Sequence, residues 1–271
     1  MDSLTPFFRE RGAGVGVVCL HSNASTSSQW RAFSDGLCDR ARVIAVDGYG
    51  AGKSPPWPTD FSLRLEHEVA LLAPALERAG ERFHLVGHSY GGAVAIKTAL
   101  MYPHRLRSVV VYEPTLFRLV AAGDPIGSPA EGIWRAASDA ADLVERGDLD
   151  GAGKRFIDFW MGDGSWDAMP APRQAAIAGS MRNVQGWRDA LFGETMSRSD
   201  LARLDVPLLC MWGERSPESS LSVIRMLRET WSGFTPAPQA AMGHMGPITH
   251  PETVNAQIAA FLVAGSRGDF P

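Results

Sequence analysis

The sequence predicts an α/β fold: a mostly parallel, doubly wound sheet interrupted by a helical insertion. Three observations carry that expectation. Short apolar runs without polar alternation recur along the chain, as strands covered on both faces require. Amphipathic stretches of helical length separate them, which is the alternation that builds parallel sheets. Residues 114–203 break the pattern, with several helical periodicities and no convincing strand.

The elements follow in order. VGVVCL (15–20) reads as the first strand and 27–40 as a helix; RVIAVD (42–47) and 63–79 repeat the pair. FHLVG (83–87) leads into a helix over 90–102, and SVVVYE (108–113) closes the first half. After the insertion come VPLLCMW (206–212), a helix over 219–231, a last short strand before 241 and a final helix over 252–263. Within the insertion the periodicity predicts helices over 131–146 and 171–184, punctuated by Pro125, Gly127, Pro129, Gly162, Gly164, Pro170 and Pro172. The expected division is a core of 1–113 and 204–271, with 114–203 as a helical cap over the sheet.

Composition narrows the function classes. With 271 residues, 45% hydrophobic and 21% charged, the chain is long and apolar enough for a sizeable core, not a disordered or disulfide-stapled scaffold. A formal charge of -4 argues against a nucleic-acid partner. Cys19 and Cys210 lie in apolar runs, and Cys38 leaves the set odd, so free thiols in a reducing compartment are expected. No run approaches the roughly 18 apolar residues that span a bilayer, and the opening MDSLTPFFRERGAG has no apolar stretch of leader length. A cytoplasmic protein without a membrane partner is the expectation; oligomeric state is not legible. No His-Glu-x-x-His and no cysteine pair at zinc spacing occur, so neither metal nor cofactor is expected. GYGAGKS (48–54) has three residues between its glycines where a phosphate-binding loop needs four.

The strongest chemical signal is FHLVGHSYGG (83–92), which holds G-x-S-x-G as Gly87, His88, Ser89, Tyr90 and Gly91 between a strand and a helix. A sharp strand-to-helix turn exposes Ser89 in strained backbone geometry, and only small neighbours avoid a clash. The helix amino terminus offers the Tyr90 N–H to a developing oxyanion. A serine nucleophile needs a base, and among seven histidines His244, between Gly243 and Gly246 in a loop before the final helix, is the candidate. His67 reads as a solvated face, His84 as a strand residue, His88 as pointing away from the nucleophile and His250 as a helix start.

With these residues in hand the chain resembles the α/β-hydrolase superfamily over nearly its whole length. LHSN (20–23) resembles the family's oxyanion loop, DGYGAGKS (47–54) its conserved turn, GHSYGG its nucleophile elbow and GHMGPITHPE (243–252) its histidine loop. The resemblance implies an oxyanion hole from the Asn23 and Tyr90 amides, and a cap where the insertion lies. Two positions depart from the pattern. Ser22 stands where glycine is usual, and CMWGERSPES (210–219) offers Gly213, Glu214, Arg215 and Ser216 where the acid aspartate is usual. Some members carry the acid at the end of the preceding strand, where this chain has Glu113; Glu218 and Glu214 are the alternatives. The expected activity is hydrolysis of a small carboxylic ester or lactone bearing an apolar group. The alternatives are carbon–carbon bond hydrolysis in a diketone, or a non-catalytic ligand-binding role. Serine at the elbow argues against the dehalogenase and epoxide hydrolase chemistries, which use aspartate there.

Overall fold

The computed structural model describes residues 5–265, so the outermost residues of the expected core, 1–4 and 266–271, lie outside it. Seven strands form one sheet: β1 (Phe8–Arg11), β2 (Val15–Leu20), β3 (Ala41–Val46), β4 (Phe83–His88), β5 (Leu106–Tyr112), β6 (Leu208–Gly213) and β7 (Phe234–Gln239). Their spatial order is β1-β3-β2-β4-β5-β6-β7. All neighbours run parallel except β1, which is antiparallel to β3.

The apolar runs are continuous because both faces are covered. Side chains alternate across a strand, so Val18, Leu20, Ile44, Leu85, Val109 and Val111 join one buried cluster. Val17, Cys19, Val43, Val86, Val110 and Met211 join the other, against Phe33 and Leu37 of the helix Arg31–Leu37 and Val254, Ile258 and Leu262 of Pro251–Gly265. Cys19 and Cys210 are buried free thiols, and Cys38, also free, is partly exposed.

Several boundaries differ from the expectation for local reasons. The stretch 63–79 is two helices, Leu65–Leu71 and Ala73–Arg78, because Pro74 lacks the N–H that would continue the first. The stretch 27–40 begins as a 3₁₀ turn, Ser27–Trp30, capped by the Thr26 hydroxyl. Strand β1, FRER, carries no apolar run; as an edge strand it needs none, and Glu10 is held by Arg78 and Arg42. At the opposite edge β7 tolerates Pro236 and Pro238, since an edge strand can spare N–H donors.

The insertion between β5 and β6 is helical throughout among the described residues, with its longer helices at Glu131–Glu145, Leu149–Met161, Ala171–Ser180 and Val184–Phe192. Helix Leu149–Met161 is absent from the periodicity reading because Gly151 and Gly153 weaken the local preference. Gly153 has a packing reason: a Cβ there would stand 2.6 Å from the Trp166 ring. Asp148 caps the helix by accepting from the Gly151 amide at 2.8 Å.

A buried ion pair ties the insertion to the core. Lys97, on the helix Tyr90–Met101, donates to Glu194 Oε1 at 2.8 Å, and both side chains are nearly inaccessible. The same oxygen accepts the Thr195 and Met196 amides. Removing one partner strands a buried charge, so Lys97→Met should lower the unfolding free energy by about 3 kcal/mol in urea titrations, while adding Glu194→Met should recover part of it. A loss in the single variant no larger than that of a surface substitution would show that the pair does not anchor the insertion.

Candidate active site

All the singled-out segments end at the carboxyl rim of the sheet, the edge at which parallel α/β folds place ligands. The register aligns Leu20 with Gly87 and His88 with Tyr112, so the loops after β2, β4 and β5 leave side by side.

Ser89 is the first residue past β4 and sits at φ +56°, in the left-handed region, at the amino end of the helix Tyr90–Met101. The turn is tight enough to exclude side chains on both sides. A Cβ on Gly87 would lie 2.4 Å from the Gly91 carbonyl oxygen, and one on Gly91 would lie 2.5 Å from the Leu20 and His21 carbonyl oxygens. The backbone is pinned as well. Ser89 N–H donates to Tyr112 O at 2.9 Å, Gly91 N–H to His21 O at 3.1 Å and Thr115 N–H to Ser89 O at 3.3 Å.

His244 Nε2 lies 2.8 Å from Ser89 Oγ, and Nδ1 lies 2.7 Å from Glu113 Oε2. Glu113 is fully buried at the end of β5, at φ +44°, and its other oxygen accepts the Gly213 amide at 2.8 Å and the Ser216 hydroxyl. Ser216 therefore occupies the turn where an aspartate is usual and donates to the carboxylate that comes from the neighbouring strand. The two alternative acids lie elsewhere: Glu214 is exposed, and Glu218 is exposed and paired with Arg225 and Ser222. Among the described residues neither the Asn23 nor the Tyr90 amide donates to a protein acceptor. Asn23 and Ser89 line the same cavity.

Three side chains at the site, His88, Gln29 and Trp160, make contacts that the sequence alone does not reveal. His88, expected to point away from the nucleophile, donates its Nε2–H to the His244 carbonyl at 2.8 Å, and its Nδ1 accepts from Gln29 Nε2 at 3.1 Å. Burial pushes its pKa well below the ordinary histidine range, and the nearby His244 ring pushes the same way. The ring stays neutral and holds the histidine loop in place. Gln29 Oε1 in turn accepts the Ser22 amide and hydroxyl, which gives the serine at the usual glycine position a partner. Trp160, from the insertion, stacks on the His244 ring with centroids 3.8 Å apart and planes 21° apart. No local pattern marks these contacts, which join segments distant in sequence.

The DGYGAGKS turn is structural. Asp47 accepts the Ser27 and Lys53 amides, and His21 Nε2 accepts the Gly48 amide at 3.1 Å. The turn also covers Glu68, a buried carboxyl that accepts the Tyr49 amide and the Tyr90 hydroxyl, both at 3.2 Å.

The sheet order, the elbow and the helices on both faces define an α/β-hydrolase. The chain belongs to the alpha/beta hydrolase family, whose model matches residues 17–257. Among curated relatives, the pimeloyl-[acyl-carrier protein] methyl ester esterase of Aeromonas hydrophila is 27% identical over 254 residues, covering 89% of this chain and 92% of that one. Among solved structures, a thermophilic esterase from Thermogutta terrifontis shares the fold with a TM-score of 0.76 at 22% identity, covering 96% of this chain and 93% of that one. An enol-lactonase from Burkholderia xenovorans has a TM-score of 0.76 at 16% identity, covering 95% and 96%. No helix among the described residues is long and apolar enough to cross a membrane.

Glu68 generates a pH prediction. Burial raises its pKa from 4.5 to about 7, against the lowering effect of its two hydrogen bonds. Between those values the native state holds a proton that the unfolded chain has lost, so stability falls as pH rises through the window. Glu68→Gln imitates the protonated form and escapes the loss. Between about pH 4.5 and 8 its unfolding free energy relative to wild type should rise by roughly 2 to 3 kcal/mol, followed by urea titration. A constant offset across that range would mean that Glu68 titrates as an ordinary surface carboxyl.

Proposed function

We propose that the protein is a serine hydrolase that cleaves a small carboxylic ester or lactone through an acyl-enzyme. The observation that carries the reading is the unbroken chain from Ser89 Oγ through the His244 ring to Glu113, almost entirely shielded from solvent. Glu113 spends one oxygen on Gly213 and Ser216, which aims the other at His244 Nδ1 and selects the tautomer with Nε2 free to take a proton. Nε2 removes the Ser89 proton as Oγ attacks the carbonyl carbon. Charge develops on the carbonyl oxygen, where the Asn23 and Tyr90 amides and the helix amino end stabilise it. Collapse breaks the bond to the leaving oxygen, which takes the proton from Nε2. A water activated by the same nitrogen then releases the acid.

A hydrophobic preference accompanies this chemistry. Beside Ser89 the insertion supplies Phe117, Phe156, Trp160, Trp187 and Phe192, which suits an apolar acyl or alcohol group and gives the insertion the role of a cap. The esterase and lactonase named among the similar proteins act on bonds that this mechanism cleaves.

A panel of p-nitrophenyl esters of graded chain length, with lactones and a diketone alongside, tests the class; cleavage of the diketone alone would replace ester hydrolysis by carbon–carbon hydrolysis. Ser89→Ala should leave less than about a hundredth of the wild-type kcat on the best substrate, in a protein that still folds. Glu113→Gln, which keeps the shape but favours the wrong tautomer, should cost on the order of 10³ to 10⁴ in kcat. Glu214→Gln and Glu218→Gln should each cost far less than that, and the reverse pattern would move the acid to the turn after β6.

A further inference from the structure

Two cavities of unequal size and chemistry meet at Ser89, and the position of His244 distinguishes them. One has a volume of about 770 Å³, opens to solvent and is walled by His244, Met245, Pro247 and Ile248 on one side. The other has only about 20 Å³ and is walled by Thr115, Phe117, Phe156, Trp160, Trp187 and Phe192, without His244. Both are lined by Ser89, Asn23, Phe156 and Trp160.

Proton transfer assigns their roles, given the serine hydrolase reading proposed above. In acylation the Ser89 Oγ–acyl bond forms and the acyl–oxygen bond breaks. The electron pair leaves with that oxygen, and the proton held on His244 Nε2 passes to it. The leaving oxygen must therefore stand within hydrogen-bond reach of Nε2. Its substituent extends into the cavity that His244 walls, and the acyl substituent turns into the other. The small cavity has room for little more than one water-sized group, which limits the acyl part to two or three carbons.

Charge separates the two sides further. The charged side chains lining the large cavity are Arg31, at the start of the helix Arg31–Leu37, and Arg173, on the insertion helix Ala171–Ser180. They stand on the core side and the insertion side, both exposed, and among the described residues no carboxylate lines the cavity with them. Neither has an ion-pair partner among the described residues, in contrast to Arg188 beside the small cavity. There the guanidinium meets Asp189 and Ser138 at 3.0 and 3.1 Å and lies over the Trp134 ring. Uncompensated positive charge thus lies on the leaving-group side alone.

We infer that the substrate is an ester of a short acyl group with a large alcohol that carries a carboxylate or phosphate. Arg31 and Arg173 are its specificity-determining residues: they attract and hold the anion without touching the reacting atoms.

Two chromogenic esters that differ only by a carboxylate on the leaving group, 2-nitrophenyl acetate and 3-acetoxy-4-nitrobenzoate, test the charge. The wild type should favour the anionic ester in kcat/KM by about tenfold at low salt, mainly through KM, and the preference should shrink as salt approaches about 0.5 M. In Arg31→Ala/Arg173→Ala the ratio of the two kcat/KM values should fall at least about fivefold, and Arg31→Glu/Arg173→Glu should invert it. A merely structural effect would lower both constants together and leave their ratio unchanged, which would overturn the inference. On the acyl side, 2-nitrophenyl acetate should exceed the hexanoate by at least about tenfold in kcat/KM, and a preference for hexanoate would overturn the assignment of the cavities. Fluorophosphonate labelling at Ser89 separates the two levels. Labelling and ester turnover without the charge and chain-length preferences overturn this inference alone, whereas no labelling and no turnover overturn the serine hydrolase reading with it.

Discussion

Everything at the rim depends on the steric constraint at Ser89. A strand must become a helix within one residue, which forces a non-glycine residue to φ +56° and clears the Cβ positions on both flanks. Such strain persists only if the surroundings over-determine it, and here they do. The amides of Ser89 and Gly91 and the carbonyl of Ser89 are bonded to two segments, Tyr112 and Thr115 around the end of β5 and His21 after β2. The same bonds that hold the serine in place set the loop after β2 and the end of β5 against it. On this rim the Ser89–His244–Glu113 chain closes with distances of 2.8 and 2.7 Å.

Under the proposed mechanism His244 requires a carboxylate oxygen near Nδ1 in a site shielded from water, and a strand end can supply it. Here β5 does so with Glu113, whose longer side chain crosses to the histidine loop. The vacated turn after β6 is filled by donors: the Gly213 amide and the Ser216 hydroxyl saturate the second carboxylate oxygen. A buried anion without such donors would be costly, so serine at that turn and glutamate at the strand end form one arrangement.

The insertion contributes differently. It closes one side of Ser89 with aromatic rings, stacks Trp160 on the histidine and supplies Arg173 to the open side. Its attachment to the core through the buried Lys97–Glu194 pair originates on the helix that Ser89 begins. Elbow, insertion and cavity shape are therefore mechanically continuous.

Local sequence determined a good deal by itself. The parallel sheet was legible because strands buried on both faces must be continuously apolar, as VGVVCL and VVVY are, and the edge strand FRER was missed because the same rule does not bind it. The elbow was legible because its sterics act within five residues, Gly87 to Gly91. His244 stood out for its glycine-flanked loop. The choice among Glu113, Glu214 and Glu218 as the group beside His244 was not local: it rests on where residues 131 positions apart in sequence meet across the sheet. His88 holding the His244 carbonyl, Gln29 bridging to Ser22, and the contrast between a small cavity with a paired arginine and a wide one with arginines unpaired among the described residues belong to the same category. Periodicity and turn chemistry report on neighbours along the chain, whereas these contacts are made by the register and packing that bring distant segments to one rim, and only the tertiary structure decides them.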